Sequence, residues 1–305
     1  MSYNSAISWT DSTWNPIVGC SKVSAGCLNC YAEKMAHRQA HMEITRGGPD
    51  RYGEVLDVCG KWNGETVFVE SALTKPLHWR KPRKIFVCSM SDLFHESVPF
   101  EWVLKIIGII IATPWHSYYF LTKRPQRMYK FFAAFPDGWL IREGMKHTSF
   151  SYEFFALHAI NGVITNAQVQ RANDYWKSHY DQSERGKLDG PVPHPIPNLH
   201  LGVSVENQDN VWRIAELVKT PAAKRSVSFE PLLHGFDVAL KGIDYIFLGC
   251  ESGPRARLCK LHAIRHMIRQ AHNAGALVHV KQIPLDGKCN KHIEQWPKEF
   301  QVREV

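Results

Sequence analysis

Cys20, Cys27 and Cys30 fall in the run GCSKVSAGCLNCYAEKMAHR, and three thiols this close on one loop point to metal chemistry. Thiolates are soft ligands that take zinc or iron–sulfur clusters. Two readings follow from the residues alone. A zinc ion closed by a fourth ligand such as His37 would brace the loop and touch no substrate. A [4Fe–4S] cluster held by three thiolates would leave one iron open to an outside ligand, and an open site is where chemistry can happen.

The compartment has to permit free thiols. Eight cysteines lie at 20, 27, 30, 59, 88, 250, 259 and 289 of 305 residues, too few and too dispersed for a disulfide scaffold. The opening MSYNSAISWTDSTWNP lacks the charged and apolar zones of a signal peptide, so the expected compartment is a reducing cytoplasm. The most apolar run, Trp102 to Ala112, contains Lys105 and is far shorter than a membrane span; it reads as a core helix. Cys88 and Cys250 read as buried, inert thiols, and Cys59, Cys259 and Cys289 have no metal-like spacing. With 37 Lys and Arg against 29 Asp and Glu, the formal charge is +8, which favours polyanions such as nucleic acid.

The elements that must position the cysteines follow a βα rhythm. Short β-branched and aromatic runs predict strands at 15–19, 84–94, 116–125, 199–206, 224–231, 244–253 and 276–284. Helices are expected from about Tyr31, from Pro99 through Ala112, near 126–132, over 210–219 and over 262–274. This pattern is that of an α/β chain with a (β/α) TIM-type barrel, partial or complete, of about six to seven parallel strands in a single domain over 1–305. ETVFVES (65–71) adds a hairpin strand outside it. From about 133 to 198 the rhythm breaks into aromatic and polar residues, which reads as an inserted lid or subdomain.

In a parallel barrel the active site gathers at the C-terminal strand ends. Those ends supply the cysteine loop, then Ser89, Ser91 and Asp92, then Thr122, Lys123 and Arg124. Later ends supply Ser204, Glu206 and Asn207, then Ser228 and Glu230, then Glu251 and Ser252, then Lys281 and Gln282. Any one of them could be an ordinary strand-end hydrogen bond or helix cap, Asp92 before Phe94 above all. Their recurrence at nearly every strand end is the signal.

The combination TWNPIVGC, GCLNCYAE, SMSDLF, LTKRPQRM and GVSVEN resembles a family of phage-encoded and bacterial proteins of unknown function related to radical S-adenosylmethionine (SAM) enzymes. The resemblance spans the chain apart from the 133–198 insertion. It implies a barrel with a [4Fe–4S] cluster on Cys20, Cys27 and Cys30, SAM bound through its amine and carboxylate at the open iron, and an electron donor such as flavodoxin or ferredoxin. Reductive cleavage of SAM would yield a radical that takes hydrogen from a substrate, with a nucleic-acid base or nucleotide-like molecule the most concrete guess. The amine-contacting position falls on Ser89, Ser91 and Asp92, and the ribose-contacting position on Ser204 and Glu206. Lys123 and Arg124 would suit a carboxylate or phosphate. Here the spacing is C-x6-C-x2-C where the superfamily usually has C-x3-C-x2-C, and Asn29 stands where an aromatic residue usually lies near adenine. Tyr31 is placed to stand in for it.

Other chemistries find no motif. No G-x-G-x-x-G or Walker sequence follows a strand, and H-E-x-x-H and G-x-S-x-G are absent. Basic clusters at 79–84, 122–127 and 254–257, with aromatic residues in the insertion, are the residue types that bind single strands or flipped bases, and equally those of a solvated surface and a small subcore. A zinc-stabilised nucleic-acid-binding protein without catalysis, or a non-catalytic cluster-binding barrel, are the alternatives.

Overall fold

β-branched and aromatic residues follow one another along the strand runs, and because successive side chains point to opposite faces, such runs are buried on both. In the computed structural model, which describes residues 7–48, 50–134, 160, 162–179, 195–251, 253 and 255–305, these runs form one eight-stranded sheet. Its order is β1 (Ser12–Trp14), β4 (Lys84–Val87), β5 (Ser117–Tyr119), β6 (Leu199–Ser204), β7 (Lys224–Phe229), β8 (Tyr245–Gly249), β9 (Leu277–Leu285) and β10 (Lys288–Asn290). Neighbours from β1 to β9 are parallel, and β10 returns antiparallel to β9. The sheet is curled: Trp9 touches Phe86 of β4 and Phe247 of β8 at once, with ring centroids 5.3 and 4.2 Å away. The result is a half-barrel with two free ends, of eight strands where six or seven were expected.

The first strand of the sheet, β1, lies just before the expected 15–19. Pro16, which has no N–H to donate, separates β1 from β2 (Ile17–Val18), and β2 pairs with β3 (Val67–Phe68) in a separate two-stranded sheet. The expected hairpin strand at 65–71 is therefore present outside the main sheet. β10 went unread because three residues cannot show an alternating pattern. So did α5 (Asn166–His179), whose weak periodicity leaves only Ala172 and Trp176 buried; Trp176 Nε1 donates to the Ile111 carbonyl at 3.1 Å and anchors it. Most of the expected 133–198 insertion, with Trp139, Phe150, Tyr152, Phe154, Phe155 and Tyr180, lies outside the described residues, as does Ser252.

The outer face of the sheet carries the main core. Ile85, Val87, Tyr118, Phe120, Leu201, Val203, Val227, Phe229, Ile246 and Leu248 pack there against α3 (Phe100–Ala112), α4 (Pro125–Ala134), α6 (Trp212–Lys219) and α7 (Leu261–Asn273). α3 buries nine of its thirteen residues, as its unbroken apolar run requires. No helix among the described residues is long and apolar enough to cross a membrane. α1 (Tyr31–Thr45) instead lays small residues, Ala32, Ala36 and Ala40, on a separate cluster with Val18, Val55, Val69, Ala72 and Met90. This packing fixes where α1 begins, at Cys30.

The inner face is filled at its base. Trp9, Phe86, Tyr119 and Phe247 form an aromatic plug, Tyr119 lies over His200 at 4.3 Å, and Ser8 Oγ bonds His279 Nε2 at 2.8 Å. Residues 302–304 run along the outer edge of β9, with Val280 N–H donating to the Val302 carbonyl and Glu304 N–H to the Val278 carbonyl, so that edge has no open ladder. The plug leaves chemistry only the opposite, C-terminal end of the sheet.

Burial pushes both His200 and His279 from 6.5 down to about 4. Between these values the unfolded chain binds the extra protons, so acid favours unfolding. Stability should fall as pH drops from about 6.5 to 4, and His279→Gln should flatten that slope in urea titrations at several pH values. An unchanged slope in the variant would contradict the assignment.

Candidate metal centre at the mouth of the sheet

The cysteine loop leaves β2 through Gly19, whose φ of +97° and close approach to Glu65 leave no room for a side chain: a Cβ would stand 2.2 Å from the Glu65 carbonyl oxygen. Gly19 N–H donates to the Met90 carbonyl, which brings the loop beside the end of β4. Cys20 follows at once, Cys27 ends a short 3-10 turn (Ala25–Cys27), and Cys30 precedes α1. All three thiols are half-buried and free. Cys20 feels the charge of both others, so they share one neighbourhood. Yet among the described residues no three His, Cys, Asp or Glu converge tightly enough to hold a single ion. One zinc with 2.3 Å bonds would need its sulfurs about 4 Å apart. His37, the residue that could have closed a zinc site, lies against Gly60 instead.

Two cations from the end of β5 stand over the thiols. Lys123 Nζ lies 3.6 Å from Cys27 Sγ, and an Arg124 guanidinium nitrogen lies 3.9 Å from Cys20 Sγ. Burial raises the Cys27 thiol, but Lys123, backbone donors and the Ser24 hydroxyl outweigh it and hold the thiol below its ordinary range. Cys20 is pushed up to about 12 by burial and the nearby Asp92 carboxylate, which outweigh Arg124. The pair is electrostatically unequal before any metal arrives.

Glu206, just beyond β6, is fully buried and both its oxygens are engaged. Lys123 Nζ stands 2.7 Å from Oε1, an Arg213 guanidinium nitrogen donates to Oε2 at 2.9 Å, and the Ser24 hydroxyl donates to Oε1. Burial raises this carboxyl, but the two cations override it and keep it ionised below the usual carboxylate range. Gly26 lies on top: a Cβ there would come within 2.3 Å of Glu206 Cγ. Thus Lys123 spans from carboxylate to thiol, and the loop is seated on a buried ion pair.

Other ties hold the loop from both sides. Asp92 is buried and accepts from Thr122 Oγ1 at 2.7 Å, from the Phe94 and Lys123 amides at 3.0 Å each, and from Arg124 at 3.1 Å. Arg124 also reaches Glu96 and donates to Ser21 Oγ at 2.7 Å, and Ser21 Oγ meets buried His95 Nε2 at 2.7 Å. On the far side, Asn29 donates to Glu251 at 2.9 Å and to the Arg255 carbonyl at 3.1 Å. Arg257 pairs with Glu251 and donates to the Ala25 carbonyl at 2.9 Å. Despite burial, those donors hold the Glu251 carboxyl down at about 2.

The expected SAM-contacting residues divide by what they have left to offer. Ser89 Oγ donates to Asn15, Ser91 Oγ donates to the Ile17 carbonyl, and Tyr31 donates to the Ser89 carbonyl at 2.8 Å. Tyr31 is half exposed and close enough to Glu230 to feel its charge, so it faces across the mouth. Ser204 offers a hydroxyl with no partner among the described residues, whereas its carbonyl accepts from Arg213 at 2.7 Å. Asp92, Lys123, Arg124 and Glu206 are spent on one another, and Glu230 pairs with Lys281 at 3.3 Å. Ser24, Asn29, Arg213 and Arg257 join the site as ties of the loop, a part the sequence reading gave to none of them; Arg257 was read only within the basic cluster 254–257, and Arg213, seven residues beyond Glu206, had no signal of its own. The basic clusters do not merge into one strip: residues 79–84 lead into the start of β4, at the opposite end of the sheet from Lys123 and Arg257.

Glu206→Gln would leave Lys123 and Arg213 without their counter-charge. Removing one partner of a buried pair costs about 3–5 kcal/mol, while an exposed pair contributes about 1 kcal/mol or less. Urea melts should therefore show Glu206→Gln strongly destabilised and Lys219→Ala, which breaks the exposed pair with Glu216, nearly unchanged. Equal, small losses would mean that the carboxylate is not the seat of the loop.

No curated protein and no solved structure matches this chain. The sequence model of one family matches residues 4–296, nearly the whole chain and all of the mouth residues described above. On that match the chain belongs to the family described as protein of unknown function, DUF5131.

Proposed function

We propose that this protein is a radical SAM enzyme on a partial (β/α) TIM-type barrel, with Cys20, Cys27 and Cys30 as ligands of a [4Fe–4S] cluster. The observation that carries the proposal is the loop itself: three free thiols at the C-terminal mouth of a parallel sheet, with two cations beside them. Cations beside the sulfurs would balance the charge of a thiolate-held cluster. The placement of His37 against Gly60 does not favour a closed zinc site.

When bound, the cluster and SAM would supply reductive cleavage of the sulfonium, giving methionine and a carbon radical that takes hydrogen from the substrate. The chain's own residues hold and orient. Lys123 and Arg124 offset the thiolates, and Glu206 and Asp92 fix those cations in place. Ser204 retains a free hydroxyl suited to a ribose hydroxyl, Ser89 and Ser91 line the side where the SAM amine would lie, and Tyr31 stands in for the aromatic residue on the adenine side. The substrate we favour is a nucleic-acid base or a nucleotide-like molecule, on the strength of the +8 charge, and the electron would come from a flavodoxin- or ferredoxin-like donor.

Anaerobic reconstitution should give brown protein with about four irons and four sulfides per chain, as the cluster formula requires, and slow release of 5′-deoxyadenosine from SAM under a strong reductant. The triple Cys20, Cys27, Cys30→Ala variant should stay colourless. Colourless wild-type protein carrying one zinc, or iron retained by the triple variant, would overturn the proposal. Nucleosides from cells with and without the protein, compared by mass spectrometry, should differ in one modified base; no difference would point to a metabolite or peptide substrate.

A further inference from the structure

Farther along the mouth, the ends of β7, β8 and β9 present a second polar wall. Val227 and Phe229 of β7 and Ile246 and Leu248 of β8 point to the outer core, so Ser228, Glu230 and Gly249 fall on the inner face. β9 breaks this alternation. Its register with β8 shifts by one residue, Leu248 pairing with Val280 and Gly249 with Gln282, so Lys281 is the extra residue of a bulge. Val280 and Ile283 both belong to the outer core, which leaves two consecutive side chains, Lys281 and Gln282, to the inner face. Gly249 lets Glu230 and Gln282 close over it: a Cβ there would stand 2.9 Å from Glu230 Oε1 and 3.2 Å from Gln282 Cγ. Two residues on, Glu251 accepts from Asn29 of the cysteine loop at 2.9 Å, so the wall and the thiols border one opening.

The wall keeps hydrogen-bonding capacity that the chain does not use. Gln282 is 4 % exposed; its side-chain amide donates to the Cys250 carbonyl, which fixes its orientation, and its Oε1 has no partner among the described residues. Glu230 accepts from the Ser228 hydroxyl at 3.1 Å through Oε2. Its Oε1 is buried and faces the Lys281 ammonium at 3.3 Å, yet accepts no hydrogen bond among the described residues. A buried acceptor without a donor is costly, so two on one wall call for a ligand that brings N–H groups.

We propose that Glu230, Lys281 and Gln282 read the substrate and select a guanine base. Glu230 Oε1 is the middle group, with Lys281 on one side and Gln282 on the other across Gly249. The wall therefore offers a cationic donor and two acceptors, and the pairing edge of guanine offers O6 and two neighbouring N–H donors. Lys281, on a flexible stem with a quarter of its side chain exposed, turns to O6; Glu230 takes N1–H and Gln282 takes the 2-amino group. Adenine and cytosine bring one amino donor to that edge, and uracil one N–H between two carbonyls, so each leaves a buried acceptor unpaired. The assignment rests on the reading of the mouth as the substrate site, and it names the base that site takes.

Isothermal titration calorimetry of the reconstituted full chain with GMP, IMP, AMP, CMP and UMP in turn tests it. GMP should bind about tenfold or more tightly than each of the others, including IMP, which lacks only the 2-amino group. In Gln282→Leu the preference for GMP over IMP should vanish. Equal binding of GMP and IMP by the wild-type chain, tighter binding of another nucleotide, or no binding of any would overturn the proposal, and this readout needs no variant to fold. Brown colour and 5′-deoxyadenosine release, read on the same sample, report the cluster separately. Equal binding by a brown, SAM-cleaving chain would thus count against guanine alone.

Discussion

The Glu206 carboxylate is buried between Lys123, Arg213 and the Ser24 hydroxyl, and the position of the cysteine loop depends on it. A carboxylate moved out of water costs several kcal/mol unless it is paired and hydrogen-bonded, so this arrangement tolerates little displacement of its partners. The loop has almost no apolar anchorage of its own. Val23 and Leu28 are exposed, and the turn at Ala25–Cys27 buries nothing. Polar ties to the ends of β4, β5, β6 and β8 do the work that packing does elsewhere: Arg124 on Ser21, Glu206 on Ser24, Arg257 on Ala25 and Glu251 on Asn29.

The same lattice sets the charge around the thiols. Lys123 divides its ammonium between Glu206 and Cys27, and Arg124 divides its guanidinium among Asp92, Glu96, Ser21 and Cys20. Cys27 is eased toward thiolate, while Cys20 beside Asp92 keeps its proton. Metal binding to such a set has to release that proton, so loading should depend on pH. The aromatic plug around Trp9 blocks the base of the inner face, and the polar lattice leaves the C-terminal mouth as the place where an outside molecule can approach.

Much of this was legible in the sequence because strands and helices are written in local periodicity. Six of the seven strand runs, the extra strand at 65–71 and the core helix at 100–112 appear where alternation and apolar continuity place them, whereas the first sheet strand lies at Ser12–Trp14, just before the expected 15–19. Three-residue β10 and the sparsely buried α5 carry too few apolar positions to be read that way. The strand-end rule found the residues of the mouth but not their roles. Asp92, Lys123, Arg124 and Glu206 look like ligand-binding groups in a linear chain, and only their long-range partners reveal that they bind one another. Asn29 ties the loop to Glu251, a partner that its place in the sequence does not show.

The central proposal is a cluster with one open iron at Cys20, Cys27 and Cys30. The most direct measurement is low-temperature electron paramagnetic resonance of the reconstituted, reduced protein with and without SAM. The account predicts a reduced [4Fe–4S] signal whose g-values shift when SAM is added, since the added ligand changes the open iron. A signal that ignores SAM, or no iron–sulfur signal at all, would contradict it.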